Sequence, residues 1–273
     1  MNTDRKIELM GIVNLTDDSY FAQSRCADVD AALRRVEKMV MEGADIVDIG
    51  ACSSRPGSVP VGADEEWRRL EPVLAALRRS FPDLRVSIDT YWASVVEKAY
   101  GLIGDFIVND ISAGEDDSEM LATVGKLGLE YVAMHKRGTS LTMQSLTGYD
   151  DVVAEVIRYF REFSLKAQDA GIRRWILDPG FGFAKTVEQN YRLLASLPQI
   201  RESISGTASG VLVGVSRKSM IYKPLGITHD EALSPTQAVH MAALIGGADV
   251  LRVHDVKEAK QTVLLYEMMQ NIS

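Results

Sequence analysis

Cysteine is scarce in this chain of 273 residues, which contains only Cys26 and Cys52. Neither belongs to a group of residues with metal-ligand spacing, and the two do not form the framework of a disulfide-rich domain. We therefore expect both side chains to be reduced thiols.

Long apolar runs and an excess of positive charge are also missing. No window has the roughly 18 uninterrupted apolar residues of a membrane helix, and the start of the sequence has no stretch typical of a secretory signal. The net charge is -8, whereas proteins that bind nucleic acid rely on basic patches. These absences predict a cytoplasmic protein that binds neither nucleic acid nor membranes.

Three nucleotide and hydrolase motifs are absent as well. The sequence has no GxGxxG after a first strand, no P-loop and no GxSxG elbow. Dehydrogenases, kinases and α/β-hydrolases usually carry one of these motifs, because each places backbone N–H groups or a nucleophile at the reacting group. These three enzyme classes are therefore disfavoured.

Alternation of two kinds of segment is the main pattern that the sequence does show. Short apolar runs rich in β-branched residues predict strands, and segments with the apolar spacing of helices follow them. The predicted strands cover 7–14, 45–49, 85–89, 106–110, 130–135, 175–178, 211–215 and 249–254. The predicted helices cover about 28–43, 64–79, 92–101, 118–127, 150–170, 187–196, 234–245 and 255–271.

Such βα units could build a doubly wound open sheet or a closed barrel. Their number, and a length near the roughly 250 residues of such barrels, favour an α/β fold of the (β/α)8 TIM-barrel type, with a single domain over residues 1–273. Polar residues at the ends of the predicted strands support the barrel, which gathers these ends on one face. They are Asn14, Asp48, Asp89, Asn109, His135, Asp178, Ser216 and His254.

Carboxylate and amide side chains end three of the predicted strands. Asp89 ends the third strand, Asn109 and Asp110 end the fourth, and Asp178 ends the sixth. Each alone is more often a loop-capping residue than a catalytic one. Together they predict a cavity for a heterocycle with an edge of N–H donors, because a buried carboxylate can accept two parallel, charge-assisted hydrogen bonds.

Basic residues follow or occupy the last two predicted strands. Arg217 and Lys218 follow the seventh, while Arg252 and His254 are two apart in the eighth and so share one side of it. A solvated basic face is the simplest interpretation. Cations directed into a barrel mouth instead favour a bound anion, for which the loops after the last two strands are a recurrent site. Asn14, on the first strand of a closed ring, would be their neighbour.

Two segments predict loops of unusual length, 15–27 and 50–63. Both are rich in glycine, proline or serine, so each could be a surface loop or a lid over the site. Arg55 lies in the middle of the second loop. Its guanidinium could bind a diphosphate through two parallel hydrogen bonds.

These motifs resemble those of the dihydropteroate synthase family from end to end. The matching pieces are MGIVNLT, DIGACSSRPGS, SIDT, NDIS, MHKRGT, DPGFGFAKT, GVSRKS and RVHDV, in the order and spacing of that family. The resemblance implies an enzyme that condenses 6-hydroxymethyl-7,8-dihydropterin diphosphate with 4-aminobenzoate, releasing pyrophosphate, in folate biosynthesis. It also implies Mg²⁺ as cofactor and a homodimer.

The resemblance assigns site residues one by one. The pterin pocket would contain Asp89, Asn109, Met134, Asp178, Phe183 and Lys218. The diphosphate would contact Asn14, Arg55, Arg252 and His254, with Asn14 also near Mg²⁺. The 4-aminobenzoate would contact Tyr20, Ser54, Arg55, Pro56, Ser216 and Ser219, with Lys218 near its carboxylate. Catalysis would rest on Arg55, Lys218, Arg252 and Asp89.

Three positions depart from the pattern of that family. Asp17 replaces a proline, Cys52 replaces a glutamate and Ser54 replaces a threonine. These changes affect the expected aminobenzoate pocket, so sulfonamide sensitivity does not follow from the resemblance.

Two alternatives remain open. A pterin-binding methyltransferase module, which presents methyltetrahydrofolate to a corrinoid, should share the pterin pocket but not the SRK and RVHD anion site. A non-catalytic pterin-binding or regulatory protein is compatible with the altered loops, although it would not need that anion site.

Overall fold

Eight parallel strands form a closed barrel in chain order. The computed structural model describes residues 6–15, 25–52 and 61–271, and in the first helix it describes side chains from residue 29 onward. The strands are β1 Glu8–Asn14, β2 Ile46–Gly50, β3 Arg85–Asp89, β4 Ile107–Asp110, β5 Glu130–Met134, β6 Trp175–Asp178, β7 Gly210–Val213 and β8 Val250–Val253.

Helices surround this barrel. They are α1 Arg25–Met41, α2 Ala63–Ser80, α3 Ala93–Ile103, α4 Met120–Leu127, α5 Val152–Asp169, α6 Val187–Ala195, α7 Leu197–Ser203, α8 Ser219–Leu225, α9 Leu233–Ile245 and α10 Val256–Gln270. Two single 3₁₀ turns lie at Met143–Ser145 and Asp230–Ala232. None of the helices described is both long and apolar enough to cross a membrane.

Residues along each strand alternate between the barrel interior and the helix layer, as the pleat requires. The interior is closed by a compact apolar cluster, whose members are Met10, Ile46, Ile107, Val132, Ile176, Leu212 and Val250. A larger cluster packs the outer faces of the strands against the helices. Because apolar side chains fill the interior at this level, polar inward-facing residues must lie nearer the carboxyl ends of the strands.

The predicted strands and their parallel order are confirmed, with ends that differ by no more than two residues. The (β/α)8 fold class is therefore correct, while the single-domain assignment stays a prediction. Two helices were not predicted, α7 and α8. Each has seven residues and a proline, too short for an apolar period to be recognised against neighbouring loops.

Glu66 is an unusual buried acid in the first turn of α2. It is fully buried, and neither carboxylate oxygen has a hydrogen-bond partner within the described ranges. Burial raises the pKa of Glu66 to about 7, from 4.5 for an ordinary glutamate. The folded state therefore binds this proton more tightly than the unfolded state, and Glu66 makes folding less favourable as the pH rises from 4.5 to about 7.

We expect Glu66→Gln to stabilise the protein at about pH 8 by up to about 3 kcal/mol, because a neutral amide does not have to be ionised in a buried position. The gain should shrink at about pH 5, where wild-type Glu66 is protonated in the folded state. Urea unfolding at both pH values measures the difference. Glu71→Gln, an exposed position of the same helix, serves as control and should change little. A Glu66→Gln protein no more stable than wild type at about pH 8 would contradict this explanation.

Candidate active site

A cavity of about 550 Å³ opens at the carboxyl ends of the strands. Most of the site residues that the sequence predicted among the described ranges lie on its wall. They are Asn14, Asp89, Phe183, Ser216, Lys218, Ser219, Arg252 and His254. A single cavity therefore brings together groups from the first, third, sixth, seventh and eighth βα units.

Three further predicted residues are nearly fully buried and are not on the described wall of this cavity: Asn109, Met134 and Asp178. Each follows a barrel-interior residue by two positions, after Ile107, Val132 and Ile176 in turn, so each side chain faces inward on its strand. They lie between the apolar cluster and the open mouth.

A second cavity of about 450 Å³ lies beside the first, over the ends of β3 to β5. It shares Cys52, Asp89, Met143 and Phe183 with the main cavity, so the two are branches of one mouth. Its far wall includes the ring pair Tyr91 and Trp92, whose centroids are 5.0 Å apart.

Asp48 anchors the polar groups beneath the main cavity. Its fully buried carboxylate accepts hydrogen bonds from Arg252 Nε at 2.7 Å, from Ser87 Oγ at 2.6 Å and from Asn109 Nδ2 at 3.1 Å. Arg252 Nη2 also donates to Asp89 Oδ2 at 2.9 Å. One guanidinium thus bridges two carboxylates. Asp48 fixes the positions of the Asn109 amide and the Arg252 guanidinium, two groups that the sequence predicted to contact the ligand.

The pKa values of this cluster follow from burial and mutual charge. Burial raises the pKa of Asp89 to about 7, opposed by Arg252 and reinforced by the charge of Asp48. Burial acts to lower the pKa of Arg252, but Asp48 and Asp89 outweigh it and raise that pKa further. Arg252 therefore remains a cation, shared by the two carboxylates.

Lys218 and Asp178 lie close together beside Gly214, beneath the mouth of the cavity. Burial lowers the pKa of Lys218 to about 8 and raises the pKa of Asp178, while the attraction between the two opposes both shifts. Lys218 Nζ donates to the carbonyl oxygen of Phe181 at 2.7 Å and lies 4.9 Å from the centre of the Phe183 ring. Asp178 Oδ1 accepts from the backbone N–H of Gly180 at 2.8 Å.

His254 is neutral in this site. Burial, followed by the charge of Arg252, lowers the pKa of its imidazole to about 3. Ser216 Oγ lies 3.2 Å from His254 Nδ1 and accepts from the backbone N–H of His254 at 3.2 Å. The Ser216 hydroxyl thus holds both the backbone and the ring of His254, and the uncharged imidazole lies on the cavity wall.

The expectation that Asp110 joins Asn109 in the cavity is wrong. Its fully buried carboxylate accepts hydrogen bonds from Tyr131 Oη at 2.5 Å, from Ser112 N and Oγ, both at 2.7 Å, and from Gly114 N at 2.8 Å. Consecutive residues of a strand point to opposite faces. Asp110 therefore caps the loop after β4, which is the structural role common for such residues.

His135 also turns away from the cavity. Its buried ring contacts Lys185 Nζ through Nδ1 and packs edge-on against Tyr159. His135 was predicted among the polar strand ends at the mouth, but it follows the inward-facing Met134 and so faces the helix layer.

Two of the basic residues predicted near the anion site have counter-charges. Arg252 pairs with Asp48 and Asp89, and Arg217 donates from Nε and Nη2 to the two carboxylate oxygens of Asp255 at 2.7 and 2.9 Å. An anion site cannot be inferred from unpaired arginines here. Lys218, Lys223 and His254 also lie on the wall, and no carboxylate of the described residues is at salt-bridge distance from them.

Tyr20, Ser54, Arg55 and Pro56 lie outside the described residues. Their assignments to 4-aminobenzoate and diphosphate stay predictions. Within the described ranges, no three histidine, cysteine, aspartate or glutamate side chains converge in a way that could hold a metal ion. The Asn14 assignment to Mg²⁺ also stays a prediction.

Sequence reasoning missed the role of Asp48, although the signal was available. Asp48 shares the inward face of β2 with Ile46, and a charged residue on such a face needs a partner of opposite charge. It also missed a group on the outer wall of the cavity, Tyr222, Lys223 and His229. These residues come from α8 and the turn after it, which the sequence pattern did not predict.

Comparisons with known proteins agree with this geometry. The model of the pterin binding enzyme family matches residues 10–254. The dihydropteroate synthase of Escherichia coli K12 is 37% identical over 95% of this chain and 90% of its own length. A mitochondrial folate synthesis bifunctional protein of Arabidopsis thaliana is 40% identical over 92% of this chain, which spans 48% of that longer protein.

A solved structure extends the likeness to three dimensions. The dihydropteroate synthase of Thermus thermophilus, in complex with 4-aminobenzoate, superposes with a TM-score of 0.85 at 38% identity, covering 98% of this chain and 96% of that one. The barrel and its mouth are those of a pterin-binding enzyme. Within that class, the chain belongs to the dihydropteroate synthase family.

The capping role of Asp110 in the loop after β4 can be tested by mutation. Asp110→Ala leaves its buried donors without an acceptor, so we expect the free energy of unfolding to fall by roughly 3 kcal/mol or more. Denaturant unfolding measures this loss. Asp105→Ala, an exposed position that precedes the same strand, should change stability by no more than about 0.5 kcal/mol. Equal stabilities of the two variants would contradict a capping role for Asp110.

Proposed function

We propose that this chain condenses 6-hydroxymethyl-7,8-dihydropterin diphosphate with 4-aminobenzoate to give 7,8-dihydropteroate and pyrophosphate. The observation that carries the proposal is a single cavity above a floor of buried carboxylate and amide groups. Its rim carries hydrogen-bond donors that suit an anion. The floor fits the N–H edge of a pterin, and the rim fits the diphosphate of the same substrate.

Recognition of the pterin would rest on Asp178. Its Oδ1 is oriented by the Gly180 N–H, while its other oxygen, Oδ2, lies close to Gly214 on the cavity wall. A Cβ at position 214 would lie 3.8 Å from Oδ2, which places this oxygen next to the Gly214 backbone at the cavity wall. The carboxylate can then accept from the pterin edge, and Lys218 can donate to its carbonyl side.

The diphosphate would be held at the other side of the mouth. Arg252 keeps a positive charge near neutral pH. The imidazole of His254 on the cavity wall would donate from Nε2 in the tautomer whose Nδ1 accepts from Ser216 Oγ. Asn14 at the end of β1 offers an amide oxygen, and Mg²⁺ favours such ligands together with phosphate oxygens and water. The described residues therefore fit Mg²⁺ held mainly by the substrate, where the ion would neutralise charge on the departing pyrophosphate.

The reaction breaks the bond between the exocyclic methylene carbon of the pterin and a diphosphate oxygen. The amine of 4-aminobenzoate forms a bond with that carbon and loses one proton, so no covalent nucleophile from the protein is needed. The electron-rich dihydropterin can delocalise positive charge at the methylene carbon. The protein therefore has to stabilise the leaving oxygen through Arg252 and His254 and to position the amine.

The amine would approach from the side of α8. Ser219 begins that helix on the cavity wall, and Lys218 precedes it. Their hydroxyl and ammonium groups suit the carboxylate of 4-aminobenzoate. The Phe183 ring lies beneath Lys218 and gives the aromatic ring of the substrate an apolar surface. Tyr20, Ser54, Arg55 and Pro56 would complete this side.

Release of pyrophosphate distinguishes the proposal from its alternatives. We expect it to require both the pterin diphosphate and 4-aminobenzoate, whereas a methyltransferase module or a non-catalytic pterin-binding protein would release none.

Asp178→Asn should weaken binding of the pterin diphosphate by roughly 2 to 5 kcal/mol, because it removes a buried charge-assisted contact. Calorimetry measures the affinity. Unchanged affinity in a folded Asp178→Asn protein would remove this residue from the site.

A homodimer is part of the proposal, and an apolar face of α10 supports it. Leu264, Leu265, Met268 and Met269 are each between 44% and 60% exposed, and their spacing places them on one side of the helix. α10 packs beside α9, whose last residue Ile245 is also 60% exposed. A second copy of this chain is the occupant that we propose for this face, because a two-fold interface can bury the same patch on both subunits.

The oligomeric state tests this interface. We expect light scattering to give twice the mass of one chain for wild type, and the mass of one chain for the variant Leu265→Glu with Met268→Glu, because charges in an apolar interface remain unpaired. Leu141→Glu, at a position 64% exposed in the loop after β5, is the matched control and should stay dimeric. A monomeric wild type, or a dimeric double variant, would contradict the interface. The cytoplasmic location stays a prediction.

A further inference from the structure

Lys185 is a fully buried lysine that the reaction scheme above does not use. It follows β6 by seven residues and precedes α6, and only 5% of it is exposed. Its Nζ lies 3.0 Å from the carbonyl oxygens of Gly180 and Phe183, 3.0 Å from His135 Nδ1, and 3.4 Å from the carbonyl oxygen of His135. Within the described ranges, no carboxylate lies at salt-bridge distance from it.

The segment that Lys185 contacts has an unusual backbone. Gly180, Gly182 and Ala184 all have positive φ, at 70°, 83° and 51°. A Cβ at position 180 would lie 1.9 Å from the carbonyl oxygen of His135, so glycine is required for the close approach of this segment to β5. Glycine adopts positive φ readily, but alanine does not. Segment 180–184 must therefore be held in this conformation by its surroundings.

Two lysines divide the carbonyl groups of this segment between them. The oxygens of Gly180 and Phe183 point to Lys185 behind the cavity. The oxygen of Phe181 accepts from Lys218 on the cavity side at 2.7 Å. Without the Lys185 ammonium, the converging carbonyls and the His135 nitrogen would face one another as buried acceptors without a donor.

The same segment forms part of the site. The peptide N–H of Gly180 orients Asp178 Oδ1, and the ring of Phe183 lines both branches of the mouth and lies beneath Lys218. A shift of Gly180 would turn the Asp178 carboxylate, and a shift of Phe183 would open the wall below Lys218. Lys185 contacts the carbonyl oxygen of both residues.

We propose that Lys185 is a positioning residue for the pterin site: its buried ammonium holds the carbonyls of Gly180 and Phe183 and thereby sets the Asp178 carboxylate and the Phe183 ring. The proposal rests on the proposed function, because the affinity it concerns is that for the pterin substrate. Lys185 does not contact the substrate, and its effect passes through segment 180–184.

The charge of Lys185 is central to this role. A neutral amine has two N–H donors for four acceptors, and it lacks the charge that makes the hydrogen bonds strong. Burial lowers the pKa of Lys185 to about 7, opposed by Asp178 and reinforced by Lys218 and Arg137. His135 adds no charge, since burial holds the pKa of its imidazole far below the usual range. Raising the pH should therefore release the segment.

The experiment compares pterin diphosphate affinity by calorimetry in wild type and Lys185→Met at about pH 6 and about pH 9. We expect Lys185→Met to weaken binding by about tenfold or more at the lower pH, with a smaller effect on kcat than on KM. The ratio of the two dissociation constants, variant over wild type, should shrink toward one at the higher pH, because wild-type Lys185 then loses its proton. Lys218 and Asp89 are ionisable in both proteins, so their contributions largely cancel in the ratio. The charge of Lys185 also lowers the pKa of Asp178, so its loss acts on the same carboxylate and weakens binding in the same direction.

Two controls separate positioning from general stability. Leu77→Ala, buried in α2 on the opposite side of the barrel, lowers stability without contact to segment 180–184 and should leave pterin affinity unchanged. Lys185→Gln, which keeps a donor but no charge, should resemble Lys185→Met. Wild type that does not bind the pterin diphosphate would overturn the proposed function instead. Binding in wild type with a ratio near one at about pH 6, or an equal ratio at both pH values, would overturn the role of Lys185.

Discussion

The ion pair between Asp48 and Arg252 is the constraint on which the site depends. Asp48 is fully buried, so its charge requires a cation in contact, and Arg252 supplies one from the strand on the far side of β1. The same guanidinium reaches Asp89, and the same carboxylate holds Asn109. Four strands of the barrel are thus joined through one buried charge, directly beneath the mouth.

This arrangement follows from how the barrel is filled. The apolar cluster around Met10 and Val132 occupies the interior, so inward-facing polar residues have room only above it. At that level their charges are far from water and interact strongly, which accounts for the raised pKa of Asp89 and the lowered pKa of Lys218. The site is therefore a polar layer on an apolar support, and the position of each charge is set by its neighbours.

The sequence predicted the fold well, because the period of its apolar positions reports which faces of strands and helices are buried. Most of the predicted site residues within the described ranges also lie on the cavity wall, since the carboxyl ends of parallel strands in a barrel must converge. Residue-level roles were harder. Asn109 and Asp110 are adjacent and similar in type, yet only the register of β4 determines that the first faces the cavity.

Which charged residues form ion pairs with one another could not be deduced from the sequence either. Arg252 and Asp48 are separated by 204 positions, and nothing in their local sequence indicates that each neutralises the other. The short helix α8 escaped prediction, and with it Tyr222 on the outer wall. Lys185 belongs to a motif that the resemblance singled out, but its part became visible only when the carbonyls of segment 180–184 were seen to converge on it.

A double-mutant cycle on Asp48 and Arg252 tests this account most directly. The free energy of unfolding is measured for wild type, Asp48→Asn, Arg252→Met and the double variant. Arg252→Met leaves the buried Asp48 charge without a cation, and Asp48→Asn leaves Arg252 with Asp89 alone. The double variant should therefore be more stable than the sum of the single effects predicts, by roughly 2 kcal/mol or more. Additive effects, within about 0.5 kcal/mol, would contradict the claim that this ion pair organises the site.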